Sequence, residues 1–236
     1  MKPWKQLSLC ILGAIACGSC VSGPTVREEA FHIDRVALLE FSSDHLIPDD
    51  RIFNFGDQSF DSHGENLLVA IYEAARPRLQ EGLRPQVELL DVADLPESRT
   101  YENLSSRENA ATVDRLKSLS SSQYEEIGGI VGEMDVDAAL SVRLQFAVDQ
   151  NFDNTPAKAR CSVLVTMFDV ESTVIWEQEI HRSARMPGGF GEFGGALMRS
   201  PPQNVMQWRV KQACLEGLSH FVQTYLKKRT AFRTTL

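Results

Sequence analysis

The side chains able to do chemistry are scattered along this chain. His32, His45, His63, His181 and His220 show no H-x-x-x-H or H-E-x-x-H spacing. A bound metal needs converging ligands of defined geometry, so no metal site is expected. The densest acidic group is Asp44-His45 with Asp49 and Asp50. It could gather a cation weakly, but it reads more simply as a solvated acidic loop. No G-x-S-x-G elbow is present, so a Ser/His/Asp triad would have to assemble from distant residues. The run MPGGFGEFGG, inside Arg182–Pro202, follows a strand and precedes a helix, as a phosphate loop would. It lacks G-x-x-x-x-G-K-S/T, and the next helix starts well downstream near Gln203. Phe190 and Phe193, set between glycines, read instead as an adaptable contact element. The expectation is a protein without catalytic residues or cofactor, acting by contact.

The cysteines carry more information. Lys2 and Lys5 precede Leu7–Ala16, an apolar run without charge. It falls short of the about 20 residues that span a bilayer and fits the core of a signal peptide. The run ends Ala14-Ile15-Ala16-Cys17. Small residues before a cysteine resemble the lipobox of bacterial lipoproteins, whose cysteine is acylated and becomes the mature N-terminus. Cys20 follows Ser19 and is the alternative acceptor; Ala14 stands where Leu is commoner. The resemblance implies a signal peptide over 1–16, an acylated cysteine and tether over 17–30, and one periplasmic domain over 31–236. Gly18 after the cysteine implies the outer membrane. Two or three acyl chains hold a protein at a bilayer far more firmly than one. The two remaining cysteines are Cys161, on strand parity with Val163 and Val165, and Cys214, near a helical face marked by Leu218 and Phe221. Both read as buried thiols, with a sheet-to-helix disulfide as the alternative that an oxidising compartment permits.

The elements that must position these groups centre on Asp137–His181. Leu140, Val142, Leu144, Phe146 and Val148 alternate with Ser141, Arg143, Gln145 and Ala147, the period of a strand. Two more such pieces follow, across a polar loop at Gln150–Lys158 and a tight turn at Asp169–Thr173, so a three-strand antiparallel meander is expected. Trp176, on the parity of Val174 and Ile180, should pack under a helix, while Glu177, Glu179 and His181 face away. Upstream, Arg35–Phe41 reads as a first strand, Glu65–Gln80 as an amphipathic helix interrupted by Pro77, and Gln86–Val92 as a second strand. Pro96–Ser106 reads as a polar loop. Ala110–Met134 reads as a helical region weakened at Gly128-Gly129, where something close-packed is expected. Asn204–Lys228, with Trp208, Leu215, Leu218, Val222 and Tyr225, should close over the sheet. The order β-α-β-α-β-β-β-α predicts an α/β (α+β) sandwich, a mixed sheet of about five strands with helices packed on it.

Two long irregular stretches remain, Ser42–His63 and Arg182–Pro202. Loops of this length are usually functional or mobile, and the aromatics of the first could equally fold back on the core. Their aromatics, Phe53, Phe55, Phe60, Phe190 and Phe193, are the candidate contact residues. The acidic balance, net −8, excludes the basic stripe that nucleic acid requires. Lys227, Lys228 and Arg229 cluster at a helix C-terminus, where the helix dipole accounts for them.

The acylated start, the strand at Arg35–Phe41, the helix-to-strand passage Glu133–Leu140 and the hairpin marked by Asp169, Ser172 and Trp176 resemble a group of periplasmic lipoprotein domains. That group includes the N-terminal domain of TolB, the curli secretion lipoprotein and the lipoprotein activators of penicillin-binding proteins. Thr173 stands where their hairpin usually has Gly. The resemblance implies a membrane-anchored binding or assembly module of the cell envelope, with an envelope protein as partner. The alternative it implies is an oligomeric export component like the curli secretion lipoprotein. The amphipathic hairpins of a pore are not apparent, since only Ala138–Val148 alternates for the about ten residues a barrel strand needs.

Overall fold

The computed structural model describes residues 23–44, 60–84, 86–108, 110–113, 115–149, 158–185 and 203–235. Its long strands are β2 (Arg35–Asp44), β5 (Ala138–Asp149), β6 (Lys158–Phe168) and β7 (Val174–Arg185); β1 (Thr25–Val26), β3 (Glu88–Asp91) and β4 (Ala110–Thr112) are short. They form one mixed sheet in the order β1-β7-β6-β5-β2-β3, with β4 paired to β2. β2 is parallel to both β3 and β5, and β5, β6 and β7 form the antiparallel meander. The helices are α1 (Phe60–Leu83), α2 (Arg99–Asn103), α3 (Ile127–Glu133) and α4 (Gln203–Thr235). The expected α+β architecture holds, with two more strands than the periodicity showed.

Alternation along β5 divides the molecule into two cores. Leu140, Val142, Leu144 and Phe146 join α1 and α4 on one face. On the other, Ala37, Leu39, Ala139 and Phe168 pack with Tyr101, Ile127, Ile130 and Val131 of α2 and α3. Helices therefore cover both faces, but α2 and α3 cover only part of theirs. Glu177, Glu179 and His181 lie exposed beyond them, as expected.

Several local expectations are corrected. Ala110–Met134 is not one helical region. Ala110–Thr112 pairs with Ser42–Asp44 of β2, and only Ile127–Glu133 is α-helical, after a 3-10 turn at Ser121–Glu126. Ser120 caps that turn reciprocally with Gln123, so the serine-rich break is a helix start. Pro96–Ser106 contains α2, whose first turn is capped where Tyr101 N–H donates to Ser98 Oγ at 3.0 Å. α1 continues through Pro77 to Leu83. Pro77 is exposed, so the carbonyl that loses its partner is left to water. Val174 does not share the face of Trp176. A register shift in the β6–β7 pairing sets Val174 opposite Phe168, on the second face, and leaves Trp176 beneath α4. Trp208 is half exposed and no part of the closing face of α4.

The body of the domain also starts before residue 31. Thr25–Val26 pairs with Glu177 and Trp176 of β7, and Ala30 and Phe31 are buried. The segment expected as tether is thus partly sheet. Tyr225 Oη donates to Ala30 O at 2.7 Å, and buried Arg229 reaches Ile33 O and Asp34, so the far end of α4 clamps it.

Candidate functional site

The described flanks of the two expected contact loops share one end of the domain through the topology. β2, β5 and β7 all point the same way, and α1 and α4 return from that end. The loop after Asp44 and the loop after Arg185 therefore leave and re-enter the domain at one end, together with the β5–β6 connection. Phe53, Phe55, Phe190 and Phe193, and Cys17 and Cys20, lie outside the described residues. Phe60 opens α1, and its side chain is likewise outside them.

Just inside that end lies a buried ionic clasp absent from the expectations. β2 carries an extra residue at Leu39, so Glu40 stands opposite Ser141. A bulge of this kind re-aims the side chains that follow it. Glu40 is fully buried. Its carboxylate accepts from Ser42 Oγ at 2.8 Å, Ser141 Oγ at 2.6 Å, Leu119 N at 3.1 Å and Arg143 Nε at 3.0 Å. Arg143 also donates to Leu119 O and lies over the Tyr124 ring. Arg107 meets Asp44 at 2.8 Å, and Gln145 donates to the same carboxylate at 3.0 Å. The clasp thus ties β2, β5 and the 104–120 segment together. A buried charge is tolerated only when paired and bonded like this. With both oxygens occupied by the protein, Glu40 acts as a structural hub. The sequence signal for it was a single charged residue inside an apolar run.

On the other face, α4 crosses the sheet at close range. A Cβ on Gly217 would sit 2.7 Å from Val163 Cγ2, so glycine is what allows this approach. One turn earlier Cys214 is bonded to Cys161, with their Cα atoms 5.3 Å apart. Glycine and cysteine at i+3 on α4 meet valine and cysteine at i+2 on β6. Both cysteines are buried, as expected, but as a disulfide rather than as thiols. Arg182 lies beside the crossing and, after burial itself, is the second cause holding the His220 pKa below its ordinary value.

The β6–β7 turn supplies the close packing expected at the paired glycines. Asp169 Oδ1 accepts from Glu171 N and Thr173 N, closing the turn. Ser172, at φ 60°, takes the left-handed conformation there. Its hydroxyl accepts from Gly128 N at 2.7 Å and donates to Glu125 O at 2.9 Å, which docks the turn on the start of α3. A Cβ on Gly128 would meet Val170 O at 2.3 Å, while Gly129 has open space. Only the first glycine is required.

Among the described residues no group of three or more His, Cys, Asp or Glu is placed to hold a metal ion. None of their helices is long and apolar enough to cross a membrane. A shallow groove runs between α1 and α4, lined by Ala75, Leu79, Gly82, Leu215, Leu218 and Val222.

No protein-family model matches this chain, and no curated protein matches it. Among solved structures it is similar to the PelC dodecamer from Paraburkholderia phytofirmans, at 9% identity and a TM-score of 0.40, over 86% of this chain and 94% of that one. A variant PelC dodecamer from the same organism gives 8% and 0.37, over 87% and 96%. The hypothetical protein CT253 from Chlamydia trachomatis gives 13% and 0.42, over 80% of this chain and 98% of that one.

Proposed function

We propose that this chain is an acylated lipoprotein of the bacterial envelope, held by Cys17 in the outer membrane, with a non-enzymatic periplasmic domain that binds or assembles envelope proteins. The observation that carries the reading is the charged start and apolar run closing on Ala14-Ile15-Ala16-Cys17. The Cys161–Cys214 bond supports it, because disulfides persist in exported proteins and are rare in a reducing cytosol. The contact role rests on the two long loops brought to one end. The distinctive buried carboxylate, Glu40, serves to hold strands and loop in place.

Labelling cells with a palmitate analogue, followed by mass spectrometry of the mature N-terminus, tests the anchor. The expected result is label on a chain beginning at Cys17, lost in Cys17→Ser. A mature chain starting beyond Cys20 without acyl mass refutes it. In-cell crosslinking from the two loops tests the contact role, which fails if the capture pattern is unchanged when both loops are shortened. Particle mass in mild detergent separates a single copy from the ring expected of an oligomeric export component.

A further inference from the structure

The first described residues head toward one end of the domain, and the length of chain before them limits how far a bilayer can lie from it. β1 runs antiparallel to β7 with Thr25 opposite Glu177, so the chain before Thr25 heads toward the C-terminal end of β7. Gly23 is thus level with Glu179. Cys17 lies as many residues from Gly23 as Arg185 does from Glu179. Even fully extended, that segment spans only about 20 Å, which is the rise of the matching stretch of β7 at about 3.3 Å per residue. Cys17 therefore lies within about 20 Å of Gly23, a reach that includes the end of the sheet where β7 finishes. A bilayer holding that cysteine must lie close against the domain, and the heading of the chain points to the end where β2, β5 and β7 finish.

The side chains at that end suit a headgroup layer. Cys214 is bonded to Cys161, which pairs with Arg182 of β7. Trp208 precedes Cys214 by nearly two turns, about 9 Å nearer the start of α4, which brings it level with the last residues of β7. It is the most exposed aromatic among the described residues, at 50%, and the Arg209 guanidinium stacks on its ring at 4.5 Å. Lys211 follows on the same stretch of helix. Aromatic rings with a polar edge, flanked by cations, are the residues that settle at membrane interfaces. Two of the described acids near this end have partners: Asp44 holds Arg107 and Gln145, and Glu179 holds Ser162 and His181. Arg209 and Lys211 give this stretch of α4 a local positive charge of the kind an anionic surface attracts.

We infer that Trp208, with Arg209 and Lys211, seats this end of the domain in the headgroup layer of an anionic bilayer, fixing the orientation in which the two long loops are presented. This rests on acylation at Cys17. The mature chain holds two tryptophans, and Trp176 is fully buried and shielded from a lipid-borne quencher, so the quenchable part of the fluorescence reports on Trp208. The full acylated protein is reconstituted into vesicles of phosphatidylglycerol brominated near the headgroup, and into zwitterionic vesicles carrying the same bromines. Flotation is measured alongside. The expected result is strong quenching in the anionic vesicles, weaker quenching in the zwitterionic ones, and loss of the quenchable component in Trp208→Phe. Arg209→Glu and Lys211→Glu should each lower the docked-to-undocked ratio at least about fivefold, and added salt should weaken docking in the wild type. Protein that floats without quenching overturns the docking while leaving the anchor intact. Quenching indifferent to both charge variants and to salt also overturns it. Shielding of Trp208 from a soluble quencher in detergent, without quenching by lipid, assigns the face to another protein. Failure to float removes anchor and docking together.

Discussion

Removing the Cys161–Cys214 bond should cost this domain a large part of its stability. The bond spans 53 residues of sequence. In the chain-entropy treatment, a cross-link over a loop of that size removes unfolded-state freedom equivalent to about 4 kcal/mol. The sulfurs sit in a close-packed crossing, where Gly217 brings α4 against Val163, so Cys161→Ala and Cys214→Ala also lose buried contact. Urea unfolding of the oxidised protein, of the protein with reductant, and of both single variants and the double variant would measure it. At a slope of about 2–3 kcal/mol/M for a domain of this size, the midpoint should fall by about 1.3–2 M. Either single variant should cost nearly as much as the double, since each removes the same bond and the effects do not add. Hydrogen exchange should show α4 losing protection first. A midpoint unmoved by reductant, or single-variant losses that add, would show that the cross-link does not hold α4 to the sheet.

Four further outcomes follow from particular contacts. Arg143→Met leaves the buried Glu40 carboxylate without its hydrogen-bonded cation, with only Arg107 at 3.9 Å, and should cost about 3–5 kcal/mol by urea unfolding, whereas Arg143→Met with Glu40→Leu should recover much of the loss; no recovery would show that the ionic pairing is not the cause. Gly128→Ala drives a methyl into Val170 O and should destabilise by about 1–3 kcal/mol, while Gly129→Ala, with open space, should be neutral or slightly stabilising. Gln178 is buried on β7 with neither amide atom hydrogen-bonded among the described residues, so Gln178→Met should raise stability by about 1–2 kcal/mol; a fall would reveal a bonded water at that amide. The His220 pKa is held down, first by burial and then by Arg182, so below pH 6.5 the unfolded chain binds more protons than the folded one. Urea midpoints should therefore decline as pH falls below 6.5 and level off beneath the folded pKa, and His220→Gln should remove that part of the decline.

The sequence by itself determined the meander and the large helices. Leu140 to Phe146 alternate strictly, and alternation can satisfy a half-buried strand in only one way. The same holds for the helical stripe through Leu68, Ile71, Ala75 and Leu79. What stayed hidden depended on neighbours far along the chain. Ala110–Thr112 has no strand period of its own and became a strand because β2 offered Ser42–Asp44 as an edge. Glu40 could not be read as buried until the bulge at Leu39 turned it toward Ser141 and Arg143. Pairing Cys161 with Cys214 required the closeness that Gly217 permits. The shared end at which Asp44 and Arg185 close their strands follows from the parallel directions of β2, β5 and β7. Strand direction is a property of the assembled sheet, since a segment's own residues are compatible with either pairing until its neighbours are in place.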